Sequence, residues 1–428
     1  MSSLYVIGLI ALLFAGVPVA VSLLIVSIAG IWLAGVPLDI LGQRMAFSID
    51  SFTLVALPMF LLMGNLMNAS GITQRIFDFA VAMVGHWRGG LAQVNVLGSM
   101  VFAGMSGSAL ADAAGLGAVE IRAMTLKGYS PAFSAAVTAV SATVGPVIPP
   151  STVAVLFAFI ADVSVGRMFL AGIIPGLMMV TVQMVIVHWR TKSMVLPEYP
   201  KASPRERLHA TWIALPALVV PFFMLAGMRS GIFTVTEVAA VGTLYALVLA
   251  GFYHRSTHRA EVVGAFRNTA LTAGGIMLII ASANVFAWIL ARERIPQEIA
   301  QGVLEMGLEP WHLLLALNVL LLLLGMLLDA AGMLILVTPV VIPVVVALGI
   351  DPVHFGMVMI VNMMIGMITP PVGLALFVVS NISRAPIMSI ARECIPFILG
   401  FLVVLTLITY IPQLVLFLPD LVYGKAIP

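Results

Sequence analysis

Apolar stretches of about 20 residues, parted by short polar segments, recur along the whole chain. That is the length at which a helix rising about 1.5 Å per residue crosses a hydrocarbon layer roughly 30 Å thick. The first run, residues 4–35, carries no charge and has no Lys or Arg before it, and predicts one retained spanning helix rather than a cleaved leader. Two basic polar stretches, 190–209 and 254–267, break the pattern and flank apolar runs at 212–227 and 238–252, long enough for one out-and-back pair. They divide the chain into two halves.

The halves repeat. DAAG at Asp112 recurs at Asp329, an offset of 217, whereas GPVIPPSTVAVLF from Gly145 recurs as GMITPPVGLALFV from Gly366 and Ile174-Pro175 recurs as Ile395-Pro396, both at 221. The copies therefore differ by four residues between the first two motifs. A repeat in a membrane chain predicts two structural copies with a binding site at their interface near the midplane. The expected organisation is an N-terminal scaffold helix (1–48), a first repeat (49–190), linkers with a two-helix scaffold insertion (191–267) and a second repeat (268–428). Each repeat reads as a spanning helix, an amphipathic connector, a re-entrant helical hairpin, a broken helix and a final span. In the first these are 52–69, 73–88, 91–127, 132–161 and 167–189; in the second, 270–291, 296–307, 311–349, 355–382 and 392–418.

Three crossings per copy invert the second copy relative to the first. With the N-terminus in the cytoplasm and the C-terminus outside, 14 of the 20 basic residues fall on the cytoplasmic side and six (Arg44, Arg167, Arg229, Arg292, Arg294 and Lys425) outside, the bias that the positive-inside rule expects. Two full spans in place of each hairpin would keep the same parity, so charge does not decide re-entrance. The tips favour it. GMSGS (104–108) comes after only about 14 residues of ascending helix and combines small residues with hydroxyls; GMLLD (325–329) is its counterpart.

Proline gives the broken helices their chemistry. It has no N–H, and its ring collides with the carbonyl four residues earlier. Pro149 and Pro150 are thus expected to free the carbonyls of Gly145 and Pro146, and Pro370 and Pro371 those of Gly366 and Met367. Thr369, Ser151 and Thr152 set hydroxyls beside the breaks. Broken backbone at membrane depth is tolerated where protein or a polar cavity satisfies it, and a desolvated sodium ion would do so. The bland alternative is a mechanical kink with Ser and Thr bonding back to the helix. Asp112 and Asp329 read as hairpin-tip caps near helix starts, as charges offsetting a bound cation, or as direct ligands of one. Asn318, Asn362, Gln183 and Thr338 read as interhelical hydrogen-bonding residues, and Trp32, Trp87, Trp212 and Trp311 as interfacial anchors.

Composition removes other classes. The chain has 428 residues, 62% apolar and 9% charged, with a net charge of +2, so nothing points to nucleic acid or to a soluble domain. Its single cysteine, Cys394, excludes an internal disulfide. No Walker loop, CxxC, HExxH or Ser-His-Asp arrangement is present, so neither enzyme chemistry nor direct ATP drive is expected.

The quoted motifs, with FAGMSGSALADAAGLGAVEI (from Phe102) and LLGMLLDAAGMLILVTPVVIPV (from Leu323), resemble the large membrane subunit of a TRAP (tripartite ATP-independent periplasmic) transporter along essentially the whole chain. The resemblance implies an all-α polytopic protein of the bacterial inner membrane, with inverted repeats, re-entrant hairpins and an elevator mechanism on amphipathic arms. It also implies sodium-coupled import of a small organic acid, a separate small four-helix membrane subunit and a periplasmic substrate-binding protein. It maps sodium ligands to Ser106, Ser108, Gly145, Val147 and Pro150 at one site, and to Gly325, Gly366, Thr369 and Val372 at the other. The competing reading is a stand-alone ion-coupled carboxylate transporter or antiporter of related fold. Only one span is expected before the first repeat, so a fused small subunit is not.

Overall fold

The computed structural model describes residues 2–194, 196, 199–253, 259–305 and 309–425. His254, Arg255 and His258, expected in a cytoplasmic loop, and Gly307, the expected end of the second connector, lie outside those residues. Among the described residues every regular element is a helix.

The first run does not form one helix. α1 (Ser2–Phe14) ends at Gly16, whose φ is +80°, and α2 (Val19–Leu33) starts after Pro18, which serves as its N-cap. Glycine supplies the left-handed turn and proline restarts the helix. The two helices fold back on each other: a Cβ on Gly30 would lie 3.2 Å from the Tyr5 ring, and one on Gly8 3.9 Å from Val26. At 13 and 15 residues each is shorter than a full crossing. Tyr5 also falls within the field of Glu293. The neighbouring Arg292, like Arg44 on α3 (Asp39–Ile49), lies over the Trp288 ring. In place of the single crossing expected over residues 4–35 there are two short helices folded on each other.

Next come α4 (Ala56–Ala69), entered through a short 3-10 turn at Phe52–Val55, and α5 (Ile72–Val84). α5 buries Ile72, Ile76, Ala80 and Val84, one stripe at a spacing of four, as an amphipathic connector should. The first hairpin is α6 (Leu91–Ser106), then α7 (Ala109–Ala114) and α8 (Leu116–Leu126); the first broken helix is α9 (Pro131–Ala142) and α10 (Thr152–Ile160). α11 (Val165–Arg190) closes the first half. α12 (Pro204–Arg229) and α13 (Val235–Val248) form the expected pair, started by the reciprocal caps Ser203/Glu206 and Thr234/Glu237. α14 (Arg259–Arg292) runs 34 residues, about 51 Å. It starts well before residue 270, because nothing in residues 259–269 beyond one glycine opposes helix.

The second half repeats the order: α15 (Ile295–Glu305), the hairpin α16 (Pro310–Gly325) and α17 (Ala330–Ala347), the broken helix α18 (Pro352–Gly366) and α19 (Leu374–Ser383), then α20 (Ile387–Tyr410) and α21 (Gln413–Tyr423). Among the described residues six helical segments are long and apolar enough to cross a membrane. The broken helices occupy the centre. Every residue from Phe133 to Ala142 and from Val353 to Gly366 is buried, as helices apolar on all sides must be. α9 packs on α19 and α10 on α18, so the two broken helices run in opposite directions past one another. Trp32, Trp87, Trp212 and Trp311 are all exposed.

Candidate functional site

In the first half, α6 ends where Gly107 adopts φ +58°, and Ser108 then caps α7, accepting from the Ala111 N–H at 3.4 Å. Residues 143–151 separate α9 from α10 and contain a cis bond between Pro149 and Pro150; residues 367–373 separate α18 from α19 and contain one between Pro370 and Pro371. Each tip meets its break at backbone distance. A Cβ on Gly107 would stand 2.5 Å from the Pro150 carbonyl oxygen, and one on Gly145 3.4 Å from the Ser108 carbonyl carbon. Thr152 ties the two together by donating to the Gly107 carbonyl at 3.0 Å. In the second half a Cβ on Gly366 would reach the Gly325 carbonyl carbon at 2.5 Å.

The carbonyls freed by proline do not all stay free. Among the described residues no donor reaches the Gly145 oxygen, as the missing N–H of Pro149 requires. The Pro146 carbonyl instead accepts from the Ser151 hydroxyl, which also caps α10. In the second half Gly366 accepts from the Thr369 N–H at 3.0 Å and Met367 from the Ala375 N–H at 3.1 Å. The Gly366 oxygen keeps one lone pair. The Thr369 hydroxyl donates to the Ile365 carbonyl at 2.6 Å, leaving its own lone pairs to accept. Ser106 is buried beside Gly64 of α4, where a Cβ would lie 3.0 Å from its Cα. Val147 differs from the rest, since its carbonyl abuts Gly172 of α11.

The shared DAAG motif does two jobs. Asp329 caps α17, accepting from the N–H groups of Ala331 and Gly332, both at 3.1 Å. Asp112 caps nothing, because Ser108 has already started the helix four residues earlier; it is buried, and neither carboxylate oxygen has a partner. The four-residue difference between the copies is this early start.

A second polar layer lies one helix turn or more from the tips. Asn95 of α6 donates to Thr138 at 2.6 Å and accepts from Ser141 at 2.7 Å, both on α9. Asn362 of α18 donates to Asn318 of α16 at 2.8 Å, and Asn318 to Thr409 at 3.0 Å. Each hairpin is thus clasped to its own broken helix. Gln183 and Thr338 make weaker interhelical contacts, at 3.5 and 3.8 Å. Asn95, Ser141 and Glu120 are not singled out by sequence, and Asn95 and Asn318, 223 apart, fall outside the 217 and 221 offsets of the repeat. Arg167 is another such residue: it bonds Asp420 at 2.7 Å and the Gly424 carbonyl at 2.5 Å and approaches Asp351 at 4.0 Å, fixing α21 against α11 beside α18.

Apposed helix breaks, each closed by a hairpin tip at the centre of an apolar bundle, define a polytopic helical membrane protein with an internal polar site at its midpoint. The chain belongs to the tripartite ATP-independent periplasmic transporter family, DctM component, whose model matches residues 6–414. It is 42% identical over 418 residues, 97% of this chain and 98% of that one, to the sialic acid TRAP transporter large permease protein SiaM of Vibrio cholerae. To the C4-dicarboxylate TRAP transporter large permease protein DctM of Pseudomonas aeruginosa it is 41% identical over 371 residues, 87% of each chain. Its fold is similar to that of the Alcanivorax borkumensis YdaH transporter, with a TM-score of 0.68 over 87% of this chain and 88% of that one at 16% identity.

Proposed function

We propose that the chain imports a small organic anion across the bacterial inner membrane, driven by sodium, as the large subunit of a three-part system. The observation that carries this reading is the pairing of two hairpin tips with two glycine-bearing breaks, one holding a carbonyl that no donor reaches. Sodium is cargo here. At the first site Ser106, Ser108, Gly145 and Pro150 offer oxygens around one junction; at the second Gly325, Gly366 and Thr369 do so, and Val372, the residue after Pro371, would add its carbonyl. Val147 takes part only if its carbonyl turns from Gly172. An ion neutralises the exposed carbonyl dipoles, so tip and break stay closed while buried.

Sialic acid and C4-dicarboxylates, for which the two relatives above are named, are carboxylates, and helix starts at the tips favour such groups through backbone N–H donors. In an elevator α6 to α10 and α16 to α19 would travel together against α4 and α12 to α14, with α5 and α15 as arms. A small four-helix subunit and a periplasmic binding protein complete the system.

Reconstitution with both partners tests the reading. Substrate uptake should rise with an imposed inward sodium gradient; uptake indifferent to that gradient sinks it. Equal uptake by this chain alone would favour the stand-alone carrier instead.

A further inference from the structure

Glu120, in the middle of α8, and Asp112, on α7, are each 1% exposed, and none of their four carboxylate oxygens has a hydrogen-bond partner. Glu120 is aimed at α6, where a Cβ on Gly98 would come within 2.8 Å of its Oε1, and it feels the charge of Asp112. The Ser99 hydroxyl stands beside Asp112 but donates its proton to Ser141 at 3.0 Å.

α8 packs on α5, α6, α7, α9 and α19. Of these, α6, α9 and α19 carry no titratable side chain and α7 offers only Asp112. α5 brings Arg75 and the exposed Asp78, the latter held by Gln74 at 3.0 Å, and α8 itself adds Arg122, which is exposed. No ion pair reaches either acid among the described residues. The nearby Asn95, Thr138 and Ser141 are already bonded to one another. A sodium ion here would leave one of two negative charges uncompensated, and among the described residues no group of three or more His, Cys, Asp or Glu could hold a metal ion. Burying an unpaired carboxylate costs far more than burying a neutral carboxyl, and two side by side raise the cost further.

We propose that Glu120, of this pair of buried acids, holds a proton inside the first hairpin. One carboxylate takes one proton from water, and no other bond changes. The hairpin then carries that proton wherever it moves. This inference does not depend on sodium coupling, because its readout is a spectrum rather than uptake.

The test uses the full-length chain in lipid vesicles. Infrared difference spectra between wild type and Glu120→Gln at neutral pH should show a protonated-carboxyl band that is lost in the variant and shifted in heavy water. Loss of ionised-carboxylate bands alone overturns the proposal, as does a wild-type band that vanishes when sodium alone is raised, which would make the pair a metal site. Glu120→Asp keeps the acid and should keep a band. As a check that needs no variant, N,N′-dicyclohexylcarbodiimide, which adds to buried protonated carboxyls, should label Glu120 in wild type. The adduct should fall about tenfold or more as pH rises by three units, since each unit can change the protonated fraction about tenfold. No adduct, or one indifferent to pH, counts against the pair.

Discussion

At the residue scale the two glycines at the breaks make separable predictions. A methyl on Gly366 would meet the Gly325 backbone at 2.5 Å, and backbone cannot swing aside as a side chain can. A methyl on Gly145 has its nearest neighbours at 3.2 and 3.4 Å. Gly366→Ala should therefore cost about 1–3 kcal/mol and abolish most uptake, and Gly145→Ala should do markedly less; equal losses in a thermal-unfolding series would contradict this ordering. Ser108→Ala and Thr369→Ala should each weaken apparent sodium affinity severalfold with membrane insertion intact, and unchanged sodium dependence in both would remove them as ligands. His86, in the loop before α6, supplies a pH handle. Burial, then Arg207 and Lys201 beside it, hold its imidazole below the ordinary histidine value. The folded state thus binds fewer protons than the unfolded one just under pH 6.5, and this contribution to stability is lost as pH falls through the folded value. In an NMR titration Arg207→Ala should move the His86 midpoint upward.

At the element scale, what the sequence made legible was what repeats or what spacing encodes. Tandem prolines at a fixed offset, small tips after short apolar helices, and a stripe at a spacing of four in α5 all pointed to the elements that form. Two things escaped. Gly16 and Pro18 lie inside the run expected to form one spanning helix, and composition alone does not distinguish a kink from a reversal; contact between Tyr5 and Gly30 decides it. DAAG looked equivalent in both halves, because the start of α7 depends on Ser108 four residues upstream, outside the motif. The clasps argue for coupling between elements. A double-mutant cycle on Asn318 and Asn362 should return about 0.6 kcal/mol, with about 1.7 as a ceiling, the range for polar contacts between membrane helices. Additive single variants would mean that the clasp only fills space.

At the scale of the whole molecule the charged groups settle at two ends. Arg88 donates to the Lys192 carbonyl at 2.7 Å and Arg190 pairs with Glu393, whereas Arg44 and Arg292 share Trp288. Arg167 holds the C-terminal helix by a fork that only a guanidinium can make. Arg167→Lys should keep the charge yet loosen α21, seen as faster protease cleavage within residues 413–425, and Arg167→Ala should loosen it further. Cleavage indifferent to both would show that α21 is held by its apolar face.

The unequal hairpins have a consequence for the energetics of a carrier of the proposed kind. Were the halves interchangeable, letting each adopt the other's conformation would turn one open state into the other at no change in free energy. Here one half starts its helix with a serine and hides two unpaired acids, while the other starts it with an aspartate that accepts two backbone N–H groups. That degeneracy is lifted. The resting balance between the two faces is then a property written into Ser108 and its early turn, before any ion or substrate arrives.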